Sequence, residues 1–190
     1  MKRRSLLVAV TISICFMYVS SSNAQQTITL SNGCTYIGGM KDGKPNGFGT
    51  ITYPPYPRYG FITNECGSLM FRPAAQYVGE VKNGLPNGQG VFTIPPEYKS
   101  DDYKYVGEFK DGKHNGHGAE SFLHGGEYVG EFRDGRRNGL GTLTFPDGRK
   151  YDGEFKDDKM DGKGKMTYPD GHVEEGLWKD GKFVGAEKSP

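Results

Sequence analysis

Tryptophan and cysteine are scarce in this sequence, and an excess of charge of either sign is missing. One Trp and three Cys occur among 190 residues, and 24 basic residues stand against 23 acidic ones. This balance argues against a nucleic-acid-binding protein, whose affinity rests on clustered positive charge. Thirty glycines and a mean hydropathy of -0.67 argue against an ordinary compact core, while 13% aromatic residues exclude a disordered linker.

Motifs for catalysis and metal binding are also missing from the sequence. His114 and His117 lie close together in KHNGHG, but no Cys or third His stands nearby at ligand spacing. The next copy of the same segment has Arg137 and Leu140 at these positions. We therefore interpret both histidines as surface variation. We expect no catalytic residue, no metal and no cofactor, and the sequence favours a protein that is not an enzyme.

The first 24 residues have the pattern of a cleaved signal peptide. Three basic residues (Lys2, Arg3 and Arg4) precede the short apolar run at 6–19, and Ala24 closes a small-residue cleavage site. The run is shorter than the roughly 20 residues of a comfortable membrane span. We predict a secreted or periplasmic protein that begins at Gln25, and the alternative is an uncleaved N-terminal membrane anchor. Cleavage removes three basic residues and leaves a formal charge of about -2.

Two cysteines remain after this cleavage, Cys34 and Cys66. An exported chain meets an oxidising environment, in which disulfides form and persist. We predict that these two residues form a disulfide, and the alternative is two thiols that lie too far apart to bridge.

One segment is repeated through nearly the whole remaining chain, residues 25–190. In its clearest copies YVGEFRDGRRNGLGTLTFPDGRK, residues 128–150, precedes YDGEFKDDKMDGKGKMTYPDG. Copies begin at five tyrosines, and the last two steps between them are both 23 residues: Tyr36, Tyr77, Tyr105, Tyr128 and Tyr151. A truncated copy follows at Glu174, and residues 27–36 align without a gap on 142–151. The array therefore contains about five full repeats with half-repeats at its ends.

Each repeat predicts a β-hairpin. In YDGEF, Tyr151, Gly153 and Phe155 share one face by the period of two. Asp-Gly or Asn-Gly pairs predict tight turns at Asp42, Asn83, Asp111, Asp134 and Asp180. One copy has Asp158 in place of the glycine, and we expect local strain there with the turn preserved.

Two columns of glycine recur on the predicted apolar face. The first is Gly47, Gly88, Gly116, Gly139, Gly162 and Gly185, and the second is Gly49, Gly90, Gly118, Gly141 and Gly164. Glycine inside a strand indicates close approach by a large group. We expect both columns to lie against the repeated tyrosine and the series Phe109, Phe132, Phe155 and Trp178, with poorer packing where Met40 and Val81 stand in that series. The prediction is an all-β fold, an elongated single-sheet solenoid of about eleven or twelve strands.

The repeats resemble the MORN (membrane occupation and recognition nexus) repeat, in which Tyr-x-Gly-x-Trp/Phe precedes a Gly-x-Gly second strand. YVGEFKDGKHNGHG and YVGEFRDGRRNGLG fit this pattern closely, and the resemblance covers essentially the whole mature chain. It implies a solenoid of stacked β-hairpins that acts as an assembly, tethering or dimerisation surface, with phospholipid contact in some members.

An insertion at 54–76 interrupts the repeat and mixes aromatic residues with arginine. Such a segment suits a protein interface, and the alternative is a flap over the Met40 and Val81 end, held by Cys34 and Cys66. We predict an interaction surface for an unidentified protein partner, formed by the insertion and the aromatic columns: Tyr56, Arg58, Tyr59, Phe61, Phe71, Arg72, Tyr105, Phe109, Tyr128, Phe132, Tyr151, Phe155 and Trp178. We also expect an exposed strand near 174–179 that allows homodimerisation through the C-terminal edge, and the alternative is a cap formed by 186–190.

A basic residue recurs once per hairpin and provides the alternative function. The row Lys41, Lys82, Lys110, Arg133, Lys156 and Lys179 could contact anionic phospholipid at the cell envelope. Glutamates stand two positions earlier on the same face, which favours a solvated face of mixed charge. Protein interaction or self-association is therefore the first hypothesis, and peripheral lipid binding is the second.

Overall fold

A computed structural model describes residues 26–30, 33–54, 75–94, 103–122 and 125–186. In the described residues thirteen strands form one antiparallel sheet, and their order in the sheet is their order in the chain. The strands are β1 Gln26–Thr29, β2 Thr35–Lys41, β3 Lys44–Thr52, β4 Gln76–Lys82, β5 Leu85–Ile94, β6 Tyr103–Lys110, β7 Lys113–Phe122, β8 Glu127–Arg133, β9 Arg136–Thr144, β10 Lys150–Lys156, β11 Lys159–Thr167, β12 Val173–Lys179 and β13 Lys182–Gly185. The predicted all-β, single-sheet architecture is confirmed. In the described ranges no helix is long and apolar enough to cross a membrane.

The described sheet has 13 strands instead of the expected eleven or twelve, and the difference arises at its two ends. The half-repeat before Tyr36 forms β1, which pairs with β2 as its alignment predicts. At the other end β13 pairs with β12, so the expected exposed edge at 174–179 is wrong. The Lys-Asp-Gly-Lys turn at 179–182 reverses the chain once more and adds this short strand. The exposed C-terminal edge is therefore β13, and the predicted cap at 186–190 falls almost wholly outside the described residues.

Six tight turns in the described residues each join the two strands of one hairpin. They lie in a row along the ends of the strands, and we name this side of the sheet the hairpin edge. In each turn both central residues have positive φ, for example Asp111 at 49° and Gly112 at 80°. This is the type I′ geometry that matches the twist of the two strands, and it explains the Asp-Gly and Asn-Gly pairs. Asp157 and Asp158 adopt the same geometry, with φ of 47° and 71°. The predicted turn without glycine is thus preserved, with a non-glycine residue in the left-handed region.

In the five turns after the first, the second residue of the turn also joins neighbouring hairpins by a hydrogen bond. The Gly112 N–H donates to the Pro86 carbonyl at 2.9 Å, and the Gly135 N–H donates to the His114 carbonyl at 2.9 Å. Asp158, which replaces glycine, still donates its N–H to the Arg137 carbonyl at 3.0 Å. Each of these five turns is therefore fixed against the previous hairpin as well as by its own strands.

The repeated tyrosine lies flat on one face of the sheet, here named the inner face, and is fully buried in five repeats. The Tyr128 hydroxyl donates to the Glu131 carbonyl at 3.0 Å, which holds the ring along its own strand. A Cβ added to Gly141 would lie 2.5 Å from a carbon of this ring, and the same relation recurs at Gly90, Gly118 and Gly164. The second glycine column therefore packs against the tyrosines, as predicted.

The first glycine column has a different role, and the prediction that it faces the aromatic residues is wrong. After the pair Gly107 and Gly118 the register shifts, so that Phe109 pairs with His114. This β-bulge places three residues of β7 opposite Glu108 and gives Gly116 a φ of 61°. A Cβ on Gly116 would meet the Glu108 carboxylate, not an aromatic ring. The glycine is required by the bulge and lies against the glutamate of the opposite, outer face.

The aromatic residues form a continuous edge-to-face series along the inner face. Phe109 contacts Tyr77 and Tyr105 with ring centroids 4.9 and 5.0 Å apart, and Phe132 contacts Tyr105 and Tyr128 at 5.0 and 5.1 Å. Edge-to-face packing of this kind adds roughly 0.5–1.5 kcal/mol per pair beyond the area buried. The series ends at Val81, which takes the place of phenylalanine in the second repeat, as expected from the sequence.

Candidate functional site

Four polar side chains interrupt the inner face where the third and fourth repeats meet, and we name them the polar cluster. They are Tyr103 on β6, His114 and Glu120 on β7, and Arg137 on β9. The Tyr103 hydroxyl donates to Glu120 Oε1 at 2.7 Å, and Arg137 Nε lies 3.3 Å from Glu120 Oε2. His114 Nδ1 lies 3.5 Å from the Tyr103 hydroxyl and 3.8 Å from Glu120 Oε1. Glu120 is thus the centre of the cluster.

His114 is buried, so its interpretation as surface variation is wrong. The side chain is 6% exposed, and its ring stacks on Tyr105 with centroids 3.7 Å apart. His117, in contrast, is 80% exposed on the outer face, as expected. The difference lies in the β-bulge, because His114 pairs with Phe109, whereas His117 is one of the three bulge residues opposite Glu108. Nε2 of His114 has no hydrogen-bond partner among the described residues.

Burial shifts the pKa values of His114, Glu120 and Tyr103 in the polar cluster. It lowers the pKa of His114 from 6.5 to about 4, which keeps the imidazole neutral near pH 7. Burial raises the pKa of Glu120, and the Tyr103 hydroxyl and Arg137 partly oppose this shift by favouring the carboxylate. Burial and the Glu120 carboxylate raise the pKa of Tyr103. Together these contacts fix Arg137 over the rings of Phe122 and Tyr128, at 5.8 and 5.3 Å from the ring centroids.

The sequence did contain a signal for this cluster. His114 and Arg137 belong to a column of mostly apolar residues, Pro45, Pro86, His114, Arg137, Met160 and Phe183, and Glu120 belongs to the column Ile51, Phe92, Glu120, Leu143 and Met166. Three polar residues in two apolar columns indicate a cluster whose members compensate one another. Comparison of these two columns through all the repeats, and not with the next copy alone, would have identified the cluster.

The aromatic residues of the predicted interaction surface lie on the inner face but are themselves buried. Tyr105, Tyr128 and Tyr151 are 0% exposed, and the paired series Phe109, Phe132, Phe155 and Trp178 is 3–5% exposed. The residues that remain half exposed beside them are Tyr103, Leu143, Phe145, Met160, Tyr168 and Phe183. The insertion residues Tyr56, Arg58, Tyr59, Phe61, Phe71 and Arg72 lie outside the described residues.

The predicted disulfide is only half within the described part of the chain. Cys34 is fully buried in the core cluster of the inner face, beside the first repeat. Cys66 lies in the insertion, outside the described residues. The pairing of these two cysteines therefore stays a prediction.

The predicted lipid row occupies the hairpin edge, and a second basic row lies beside it. Lys41 pairs with Lys44, Lys110 with Lys113, and Arg133 with Arg136. The same pairing joins Lys156 to Lys159 and Lys179 to Lys182, whereas Lys82 pairs with Leu85. The sequence indicates this second row, because most turns have the pattern Lys/Arg-Asp-Gly-Lys/Arg, with a basic residue on each side. Acidic residues partly neutralise the edge, as between Lys159 and Asp180 at 2.8 Å.

Metal-binding groups are not brought together in the described part of the chain. No group of three or more His, Cys, Asp or Glu side chains there has the spacing to hold a metal ion. The polar cluster has one histidine and one carboxylate, and the carboxylate is in contact with Arg137 and Tyr103.

Comparison with known proteins supports the repeat architecture. The MORN repeat family matches residues 36–56, 77–96, 105–122, 128–148 and 151–173. Among solved structures, the chain is similar to the TCP domain of SAS-4 (dCPAP) of Drosophila melanogaster, solved in complex with a proline-rich motif of Ana2 (dSTIL). The identity is 11% and the TM-score is 0.39, and the match covers 83% of this chain and 81% of that chain. No curated protein matches the chain. Because the family matches cover more than half of the 190 residues, this protein belongs to the MORN repeat family.

Proposed function

We propose that this protein is an exported, non-enzymatic scaffold whose inner face binds a polypeptide, either another protein or a second copy of itself. The observation that carries the proposal is the single-layer architecture. All 13 described strands belong to one sheet, so no second layer formed by these strands covers the inner face. Half-exposed Leu143, Phe145 and Met160 remain there beside the buried aromatic series. Apolar surface of this kind is typical of a binding face.

The polar cluster gives this face a specific centre. Arg137 is 21% exposed and lies over two aromatic rings, so its guanidinium is held in one orientation. Arginine and aromatic residues at the centre of an apolar patch are enriched among residues that dominate binding energy. A partner that covers this centre would contact Arg137 together with Phe122 and Tyr103.

The inner face can be tested by paired substitutions to arginine. Met160→Arg places a charge on the inner face in a column that already contains Arg137, so the fold should tolerate it. Val129→Arg is the matched control on the outer face, where Val129 is 50% exposed. We expect sedimentation equilibrium to show a concentration-dependent mass that Met160→Arg reduces and Val129→Arg does not.

A partner other than a second copy requires a different readout. A photo-crosslinking amino acid at Phe145 should capture a polypeptide in the native host, whereas the same group at Val129 should not. Equal masses for both arginine variants, together with equal crosslinking at both positions, would exclude the inner face as the binding surface.

Self-association through the C-terminal edge is the other form of this proposal. Val184 on β13 is 66% exposed at the end of the sheet. A lysine at an edge strand opposes pairing with another strand. Val184→Lys should therefore lower the mass if the two copies join edge to edge, and Met160→Arg should lower it if they join face to face.

A second candidate function is peripheral binding to anionic lipid through the hairpin edge. The observation that favours it is the paired basic rows at five of the six turns. The test is flotation with neutral or anionic vesicles at low and moderate salt, because screening weakens such contacts. Lys110→Glu with Lys113→Glu should weaken flotation with anionic vesicles, because it reverses the charge of one of the five basic pairs. The same charge change at Lys163 and Lys165, away from the edge, is the control.

Export depends on the N-terminal segment and has its own measurement. The mass of the protein purified from the native host should correspond to a chain that begins at Gln25. Retention of residues 1–24 would favour the membrane-anchored alternative.

A further inference from the structure

Each of the second, third and fourth repeats holds a glutamate carboxylate in the same place on the outer face. Oε1 of Glu80 accepts the Gln89 N–H at 3.1 Å, Oε1 of Glu108 accepts the His117 N–H at 3.0 Å, and Oε1 of Glu131 accepts the Leu140 N–H at 3.0 Å. In each case the carboxylate lies against the positive-φ glycine of the β-bulge. The three bulge residues, Asn-Gly-x, therefore form a seat for one carboxylate.

The first repeat keeps this seat but lacks the glutamate. Gly39 occupies the glutamate position, and Asn46, Gly47 and Phe48 are the bulge residues. The register shift between Gly38 and Met40 matches that of the other repeats, and φ of Gly47 is 92°, close to 99° at Gly88. Apart from Gly47 and its two chain neighbours, no described residue has an atom within 4 Å of a Cβ added to Gly47, whereas the Glu80 carboxylate lies 2.6 Å from a Cβ added to Gly88.

A cleft of about 850 Å³ opens over this seat. It is lined by Asn46, Gly47 and Phe48 together with three lysines, Lys41, Lys44 and Lys82. Asp42 and Glu80 also line the cleft, so the basic side chains are in excess by one. In the next three repeats the seated glutamate stands two residues before the basic residue and offsets its formal charge, whereas Gly39 stands two residues before Lys41. The ring of Phe48 is 59% exposed at the cleft.

We propose that this cleft binds a carboxylate group supplied by another molecule. The carboxylate takes the position that Glu80, Glu108 and Glu131 fill in their own repeats. The Phe48 N–H donates to one oxygen, and the ammonium groups of the lysines neutralise the charge, since hydrogen bonds between ionised partners are the stronger class. The exposed Phe48 ring offers contact to the hydrocarbon part of the ligand. The source is an acidic side chain of a polypeptide or a free carboxylic acid.

This inference is independent of the scaffold proposal. The cleft lies on the outer face near the hairpin edge of the first and second repeats, and the polar cluster lies on the inner face of the third and fourth. Substitution of Met160 should leave carboxylate binding unchanged, so failure of either proposal can be recognised separately.

The direct test is titration of the purified ¹⁵N-labelled protein with acetate, glutarate and a glutamate-rich peptide, followed by amide NMR. We expect saturable shifts of the Phe48 and Gly47 amides, with no matching shift at Gln89, His117 or Leu140, where the seat is filled. The combined Lys41→Gln, Lys44→Gln and Lys82→Gln variant should bind at least tenfold more weakly. Tighter binding of the peptide than of glutarate at equal carboxylate concentration would assign the source as a polypeptide, and the reverse would assign a free acid.

An engineered second seat provides the matched control. Glu131→Ala removes the carboxylate that fills the seat at Leu140, so the Leu140 amide should now respond to acetate as Phe48 does. Gly39→Glu should remove the response at Phe48, although the Asn46 carbonyl must first move, since a Cβ at Gly39 would lie 2.7 Å from it. The proposal is overturned if Phe48 shows no saturable shift, if filled and open seats respond alike, or if sulfate competes as well as acetate.

Discussion

The ring of Tyr128 on β8 lies directly over Gly141 on β9, and a Cβ added to Gly141 would be 2.5 Å from the ring. In every full repeat the tyrosine ring covers a glycine of the neighbouring strand, whose missing side chain leaves room for the ring. This contact lets the sheet bury its tyrosines completely without a second layer formed by the described strands.

Gly141→Ala should therefore destabilise the protein through overpacking. We expect a loss of about 1–3 kcal/mol in the free energy of unfolding, because the ring is fixed by its hydroxyl and cannot move aside. Urea unfolding checks this value. In a Tyr128→Leu background the same alanine should cost clearly less, and an unchanged cost would show that the ring is not the obstacle.

Phe109→Leu should interrupt the edge-to-face series between Tyr77 and Tyr105. The residue loses its edge-to-face contacts with the two tyrosine rings and with the His114 ring, and we expect the two tyrosine contacts alone to cost about 1–3 kcal/mol. Phe183→Leu is the comparison, because Phe183 is half exposed near the end of the array and contacts Trp178 with centroids 5.3 Å apart. Thermal unfolding should show the larger decrease in Tm for Phe109→Leu, and equal decreases would contradict the importance of the series.

Asp158 allows the strain of a positive φ to be measured. Asp158→Ala and Asp158→Gly both remove the carboxylate that accepts the Arg137 N–H at 3.0 Å. Only alanine keeps a side chain at a φ of 71°. The alanine variant should be less stable than the glycine variant by about 1 kcal/mol in urea unfolding. Equal stability of the two variants would show that this turn is not strained.

His114 should make the stability depend on pH between about 4 and 6.5. Its pKa is lowered to about 4 in the folded state from 6.5, so the unfolded chain binds more protons in this window. The contribution of His114 is therefore full above pH 6.5 and is lost as the pH falls through the folded pKa. At 1.36 kcal/mol per unit it reaches about 3 kcal/mol.

Glu120 has the opposite effect on the pH dependence of stability, so its contribution must be removed before that of His114 is measured. Its pKa is raised in the folded state, so its contribution decreases as the pH rises above the unfolded value. The test compares the single variant Glu120→Gln with the double variant Glu120→Gln plus His114→Met. Methionine is chosen because Met160 occupies the position equivalent to His114 in the fifth repeat. The rise of stability from pH 4 to 6.5 should be present in the first variant and absent from the second. Parallel curves would contradict a buried, neutral His114.

Local chemistry explains which parts of the fold were predictable. The turns at Asp42 and Asp111 follow from residues that tolerate positive φ, and the half-repeat that forms β1 follows from gap-free alignment. The bulge was not predictable from alternation. The extra residues lie in β7, and the alternating pattern of β6, which contains Glu108, is the same with or without them. His114 was misplaced because the arginine of the next repeat suggested a solvated position. The stem of Arg137 instead packs on the inner face, as long basic side chains can.

The strictly sequential strand order has a mechanical consequence. β1 and β13 lie at opposite ends of the sheet, so tension between them acts across the strands and along their hydrogen bonds. Each pair of neighbouring strands then bears the full force, and the pairs separate one after another. Force along the strands would instead load all the hydrogen bonds of a pair together in shear. Where the period is 23 residues, each hairpin that opens would release roughly 70 Å of chain, and force spectroscopy would record a train of low, evenly spaced steps.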